Sequence, residues 1–533
     1  MEFSATNIIL LATCLLVIAA IIIPIVLVGY IYLKDRKQDQ HAILRNFPIL
    51  GKLRYILEKS GPELRQYLFN NDRSGKPFSR KDYQNIVMPA KYQKNMLGFG
   101  SVRDFEKADF YVKNAMFPKQ QDELEVDNTE EIASKVYDIQ EDNLLSRKES
   151  LQDKSIKPWL LTDDNTVVIG PSSRAPFRVK SLVGMSAMSY GSLGDHAITA
   201  LSKGIGMAGG AWMNTGEGGL SDYHLKGDTD IIAQIGPGLF GVRSKNGEFS
   251  WELLKEKAAI PQVKAFELKL AQGAKTRGGH VDAEKVTEEI AHIRNVEPYQ
   301  EINSPNRFNE FDDVPSMFSF MEKIRNHTGL PVGMKIVVGS SDSFEEIASY
   351  MKESGMGPDF ITVDGSEGGT GASFQELADR VGLPVKSAVM IVDQTLKKYG
   401  VRERTKIIAS GKLFTADRIA VVLAMGADLV NVARAFMISV GCIMAQICHT
   451  NRCPVGVATT DAKLQRALVI DEKQYRALNF LVTLRESLFR ISAAAGLTSP
   501  TGFNPEHISY VDEQHRVKSL DDYYLQGEYS TSR

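Results

Sequence analysis

Asp364-Gly365-Ser366-Glu367-Gly368-Gly369-Thr370-Gly371-Ala372-Ser373 is the densest glycine run of the chain, and it follows a β-type run ending near Val363. Successive backbone N–H groups in such a loop form an anion-binding nest or close on the edge of a cofactor. No Gly-Lys-Ser/Thr follows, so it is not a P-loop. The alternative is a mobile surface loop. What decides the fold is recurrence. Candidate strands end near Val183, Met213, Leu270, Ile302, Val337, Val363, Ile408 and Val432, and polar or glycine-rich residues follow nearly every one. Amphipathic helical stretches lie between many of them, at 195–208, 314–327, 343–353, 385–399 and 415–425. Eight strands separated by helices predict an α/β protein, a (β/α)8 TIM barrel. A doubly wound open sheet is the competitor, but it would gather such signals at one switch point.

Outside this region the chain carries other information. Its 533 residues exceed one ordinary domain but accommodate a large barrel with an extra lobe. A net charge of −2 gives no basic field for nucleic acid. Residues 7–33 are almost continuously apolar, longer than the roughly 20 needed to span a bilayer as a helix. Tyr30 and Tyr32 sit where interfacial aromatics belong, and Lys34, Arg36 and Lys37 follow. With only Glu2 charged before the run, the positive-inside rule places the following residues in the cytoplasm. A cleaved signal peptide is the alternative, against which stand the missing basic start and the overlong apolar core. The reading is a transmembrane anchor at 1–37, a small leading α-rich lobe at 38–160, the barrel at 161–497 and a loose polar tail at 498–533. Within the lobe, 49–55 and 62–67 read as short helices and 126–151 as surface helix or loop. After the barrel, 462–495 reads as two helices.

Several strand ends carry candidate chemistry. Gly184-Met185-Ser186-Ala187-Met188-Ser189-Tyr190-Gly191 follows the first strand, and its small residues let a flat ring approach. Asn214-Thr215-Gly216-Glu217-Gly218-Gly219 follows the second and sets one carboxylate among glycines. In Glu267-Leu268-Lys269-Leu270-Ala271-Gln272-Gly273-Ala274-Lys275, period-two alternation directs Lys269 into the barrel mouth. Pro331-Val332-Gly333-Met334-Lys335-Ile336-Val337 does the same for Lys335. Two such lysines suit an anionic ligand, such as a dicarboxylate beside a flavin; strand-end lysines at the surface are the plainer reading. Ser410-Gly411 and Ala433-Arg434 follow the last two strands, where barrels commonly hold a phosphate. That pair argues for a phosphorylated cofactor such as FMN.

Three of the four cysteines, Cys442, Cys448 and Cys453, fall within twelve residues as C-x5-C-x4-C. So few cysteines in so long a chain argue against a disulfide framework and for a reducing compartment. Three thiolates suit a [3Fe–4S] cluster. A Cys3His zinc site with His449 and three unligated core cysteines are the alternatives.

Taken together, residues 185–191, 214–219, 269–275, 364–373 and above all Gly441-Cys442-Ile443-Met444-Ala445-Gln446-Ile447-Cys448-His449-Thr450-Asn451-Arg452-Cys453-Pro454 through Thr459 resemble the FMN-binding synthase domain of glutamate synthase. The resemblance covers roughly 160–495. It implies a (β/α)8 barrel, FMN, a [3Fe–4S] cluster held by Cys442, Cys448 and Cys453, and reduction of 2-iminoglutarate, made from 2-oxoglutarate and ammonia, to L-glutamate. Expected cofactor-binding residues are Met185, Ser186, Ala187, Asn214, Lys269, Gln272, Gly368, Gly369, Thr370, Ser410, Gly411, Ala433 and Arg434. Lys335 is expected to bind the substrate carboxylate, and Glu217 or Lys275 to handle protons. The resemblance fails in places. The resemblance does not extend to the family's glutaminase domain or C-terminal β-helix, so ammonia is expected from solution or a separate amidotransferase, and electrons from a donor protein or reductase. Thr276-Arg277-Gly278-Gly279-His280 and Ser304-Pro305-Asn306-Arg307-Phe308-Asn309 also depart from the family's usual segments near the substrate. Two other readings therefore stand beside glutamate formation: the same cofactors acting on another oxo acid, imine or N-substituted amino acid, and a membrane-bound electron-transfer subunit.

Overall fold

Alternation along eight short strands decides what fills the centre of the molecule. In a computed structural model, which describes residues 5–275 and 278–523, these strands close into a parallel barrel in chain order. They are β1 (Val183–Met185), β2 (Trp212–Asn214), β3 (Asp230–Ile235), β4 (Val263–Lys269), β5 (Val332–Ile336), β6 (Phe360–Asp364), β7 (Lys406–Ser410) and β8 (Leu429–Val432). The barrel is as expected, with one exchange of members. Ile302 does not end a barrel strand; Ile302–Ser304 pairs antiparallel with Gly279–Val281 in a hairpin after β4. The third barrel strand is instead β3, whose Asp-Ile-Ile-Ala-Gln-Ile sequence is short and lies close behind β2.

The interior is layered by residue size and polarity. At the lower level Gly184 faces Trp212, and a Cβ there would lie 2.1 Å from the indole. Gly333 faces the Phe360 ring in the same way, at 2.5 Å. These small–large pairs let two big rings fill a narrow barrel. The indole Nε1 donates to Asn431 Oδ1 at 3.0 Å. One step up each strand, a polar layer forms around Glu267. Its carboxylate accepts from Asn214 Nδ2 at 2.8 Å, from Gln234 Nε2 at 2.6 Å and from Thr362 Oγ1. A further step brings Lys269, Lys335 and Asp364 to the mouth. Period two thus converts strand sequence directly into depth.

Helices Asp195–Ala208, Val314–Thr328, Ser341–Ser354, Val385–Lys398 and Ala416–Ala424 match the expected stretches closely. The long Ile470–Ala494 helix follows a short one at Ala462–Gln465. It crosses Asp195–Ala208 at Gly204, where a Cβ would meet Gln474 O and Ala477. Its buried Arg485 donates to the carbonyls of Pro158, Ala208 and Gly209 and to Ser181 Oγ.

The chain divides into two compact units, Met1–Lys81 and Asp82–Arg533. In the first, helix Ala5–Lys37 carries exposed apolar side chains and is long and apolar enough to cross a bilayer, a test that a signal sequence also passes. Asp35 at its end accepts from Lys52 Nζ at 2.6 Å and Ile49 N at 3.0 Å, fastening it to helix Gly51–Leu64. In the second unit, residues 126–151 are not surface helix or loop. Ile132–Asp142 and Arg147–Ile156 form a long hairpin, held to the Ile470–Ala494 helix by Ser134 and Asn479 at 2.6 Å. Nor is the tail loose as far as residue 523: Ile508–Val511 pairs with Asp109–Val112 and Val517–Ser519, and Leu520 is buried. The rest of the tail lies outside the described residues.

Candidate active site

At the mouth, Lys269 Nζ donates to Glu217 Oε1 at 2.6 Å, and Lys275 Nζ donates to the same oxygen. Lys269 and Lys275 are buried, while Glu217 keeps 19% of its side-chain surface. Burial works against the Glu217 charge, but the two ammonium groups overcome it and hold the carboxyl well below its usual range. Burial likewise pushes Lys269 down, against the pull of Glu217. Lys335 does point into the mouth, and there it pairs with Asp364 at 3.2 Å. Asp364 also accepts from Gly273 N at 2.9 Å, joining the loops after β4 and β6. The two loops touch backbone to backbone: a Cβ on Gly273 would lie 1.9 Å from Gly365 O. Gln272 lies in this contact, bridged to Lys275 through the main chain.

The loops after β1 and β2 are locked by a residue the sequence did not flag. Buried His224 accepts at Nδ1 from Ser221 N at 3.2 Å and from Ser221 Oγ at 2.7 Å, leaving Nε2 to donate to Met188 O at 3.2 Å. This requires a neutral ring, and burial lowers its pKa to about 4. Met185 and Ser186 are buried beside β8, with Ser186 N donating to Val432 O at 2.9 Å. Asn214 is committed to Glu267 and to Gly216 N, with Ala187 in the loop above it.

Across the mouth, the structure brings Ser410, Gly411, Gly369 and Arg434 together. Arg434, which begins the turn after Ala433, donates to Glu367 O. A Cβ on Gly369 would lie 2.8 Å from its Nη1. Gly365 N donates to Ser410 O at 2.7 Å. The Glu367 carboxylate sits beside Gly411 and accepts from Val385 N at the start of helix Val385–Lys398. Burial raises its pKa. Gly368 packs on Gly273, and Thr370 Oγ1 accepts from Ala372 N at 3.1 Å.

Cys442, Cys448 and Cys453 line one small space together with Met437, Val455 and Val457. Met444 N donates to Cys442 Sγ at 3.4 Å, and Met444, Gln446 and Asn451 take left-handed backbone conformations that turn the loop around the space. Burial pushes the Cys442 thiol up to about 11 and raises that of Cys448. Among the described residues no trio of His, Cys, Asp or Glu is gathered tightly enough for a single metal ion.

Two more cations escaped the sequence reading. Arg294 is buried between the first two glycine loops: a Cβ on Gly218 or Gly191 would lie 3.0 or 3.1 Å from its Nη2. It donates to Tyr190 O at 3.2 Å and lies 5.3 Å from the Phe240 ring centroid, while its buried Nε has no partner among the described residues. Burial pushes its pKa down to about 10, opposed by nearby Glu217. Lys285 is buried and donates to Cys448 O at 2.7 Å. In sequence both look like ordinary basic residues closing a helix or turn, and no local signal separates them from surface charges.

A closed parallel barrel with buried lysines, an arginine and carboxylates at the C-terminal ends of its strands is built as barrel enzymes are. Known proteins sharpen the class. The conserved region in glutamate synthase matches residues 120–498. The glutamate synthase large subunit-like protein YerD of Bacillus subtilis is 59% identical over 514 residues, covering 96% of this chain and 98% of that one. The archaeal-type glutamate synthase [NADPH] of Thermotoga maritima is 32% identical over 340 residues, 63% of this chain and 64% of the relative. The glutamate synthase [NADPH] large chain of Bacillus subtilis is 29% identical over 318 residues, and the match spans 20% of its length. The chain belongs to the glutamate synthase family and is an oxidoreductase.

Proposed function

We propose that this barrel reduces 2-iminoglutarate, formed from 2-oxoglutarate and ammonia, to L-glutamate. The observation that carries the reading is the charge at the mouth. Among the described residues, Lys269, Lys275, Lys335 and Arg294 outnumber the carboxylates Glu217 and Asp364 beside them, even with Glu267 one layer below, which accepts from three neutral donors. A buried surplus of positive charge is costly unless an anion completes it. A dicarboxylate supplies that anion. Arg294, with an unpartnered Nε, would take one carboxylate, and Lys335 the other. Glu217, shared by two lysines, would hold a proton relay with Lys275 next to the imine nitrogen.

FMN fits the residues present: Arg434 held by a neutral carbonyl, close-packed glycines at 368, 369 and 411, and small residues after β1. When bound, it supplies hydride chemistry. Arg434 and Ser410 would hold its phosphate, Lys269 and Gln272 its ring edge, and residues 185–187 its face. Cys442, Cys448 and Cys453, which line one space, would supply the three thiolates of a [3Fe–4S] cluster. Helix Ala5–Lys37 supports single-pass membrane attachment with the barrel in the cytoplasm, where a donor protein or reductase is available and ammonia arrives from solution or a separate amidotransferase.

The test is glutamate formation by the anaerobically purified full chain, chemically reduced, with 2-oxoglutarate and ammonium. Absence of glutamate overturns the reading. The hairpin over Lys275 favours one alternative for comparison. Its Gly279 packs on Lys275 Nζ, and its His280 bonds Asn303 and Asp282, whereas Thr276 and Arg277 lie outside the described residues. A panel of other oxo acids and amines therefore belongs in the same assay. Turnover of one of those in place of 2-oxoglutarate would move the assignment to that substrate.

A further inference from the structure

We propose that Lys285 is a positioning residue that raises the reduction potential of the iron–sulfur cluster by placing a fixed buried positive charge against the Cys448 side of its site. The inference rests on the cluster assignment above.

Lys285 ends the turn Ala283–Lys285 in the excursion after β4, far in sequence from the cysteines. Its neighbour Val286 anchors it, fully buried in a small core with Phe240, Ala291 and Ile302. From there the side chain runs into the cysteine loop, is 7% exposed, and donates to Cys448 O at 2.7 Å. That acceptor is neutral. Among the described residues no carboxylate lies within ion-pairing distance of Lys285. A buried ammonium bonded only to a carbonyl is poorly compensated. Three thiolates around an iron–sulfur core supply the missing negative charge.

The redox consequence follows from charge alone. One-electron reduction adds one negative charge to the cluster and breaks no bond. A fixed cation nearby stabilises the reduced form more than the oxidised form, which raises the potential. A purely mechanical role for Lys285, stapling the excursion after β4 to the cysteine loop through one hydrogen bond, would leave the potential unmoved by charge.

The experiment uses the full chain in detergent, purified anaerobically, with iron and sulfide assays and a potentiometric titration followed by EPR. Lys285→Met should bind iron and titrate at a lower potential than the parent, while Lys285→Arg should keep the parent's value. An iron-loaded Lys285→Met with the parent's potential overturns the inference. If Lys285→Met assembles no cluster, Lys285→Arg decides: a loaded cluster at the parent's potential supports the role of charge, and a folded protein without iron overturns it. A parent protein that binds no iron refutes the cluster assignment itself, which separates the two failures.

Discussion

The two ends of the barrel use the same residue types to opposite effect. At the base, before β7 and β8, Arg402 is fully occupied. It donates to Asp393 at 2.8 Å, Thr405 O at 2.9 Å, and Gly426 O and Asp428 at 2.8 Å each, and Lys397 adds a 2.7 Å pair with Asp393. At the mouth, Arg294 makes one hydrogen bond and leaves a buried N–H unmatched among the described residues. Burial opposes both charges. The carboxylates around Arg402 reverse that effect and raise its pKa, whereas Glu217 fails to do so for Arg294. The closed network holds the fold, and the open one with surplus cations is what the proposed anionic substrate would complete.

Substitution should separate the two ends. Arg402→Met should remove the guanidinium shared by buried Asp393 and half-buried Asp428 and cost roughly 3 kcal/mol in urea unfolding, with KM unchanged. Arg294→Gln should leave stability nearly intact. It should lower kcat/KM for 2-oxoglutarate about 30–100-fold, the equivalent of a charged hydrogen bond worth about 2–3 kcal/mol. An Arg294 variant that merely unfolds more easily would erase the distinction.

His224 gives the next effect. Its folded pKa, about 4, lies below the ordinary value of 6.5, so the unfolded chain binds the extra proton first. Stability contributed by the neutral ring is therefore full above about pH 6.5 and is lost as pH falls toward 4, by roughly 3 kcal/mol at most. His224→Gln should flatten that slope in unfolding curves taken across this range, and an unchanged slope would show that the acid sensitivity lies elsewhere. Smaller again, Gly184→Ala should destabilise by about 1–3 kcal/mol, because its methyl group drives into the Trp212 ring. A neutral result in thermal unfolding would mean that the indole has room to shift.

Much of this was legible in the chain. Period-two strands and the loops after them announced the barrel, because a strand's alternation is set by local geometry whatever its partners. The same rule put Lys269 and Lys335 in the mouth. It failed at Ile302, since a short apolar run reads alike in a barrel strand and in a surface hairpin. It also passed over β3, which is separated from β2 by only the short helical turn Asp222–Leu225 and by no full α-helix. The cysteine spacing was informative because three thiols that close in sequence stay close in space.

The sequence by itself determined the barrel, the apolar first helix, the mouth lysines and the three-cysteine loop, all of which depend on neighbours within a few residues. Only the tertiary structure decided that Glu217 is shared by two lysines, that Asp364 meets Lys335, that His224 clamps Met188, and that Arg294 and Lys285 are buried. Each of these joins segments brought together by closure of the barrel. The energy of a buried charge is set by what surrounds it, and its neighbours in the chain do not specify that.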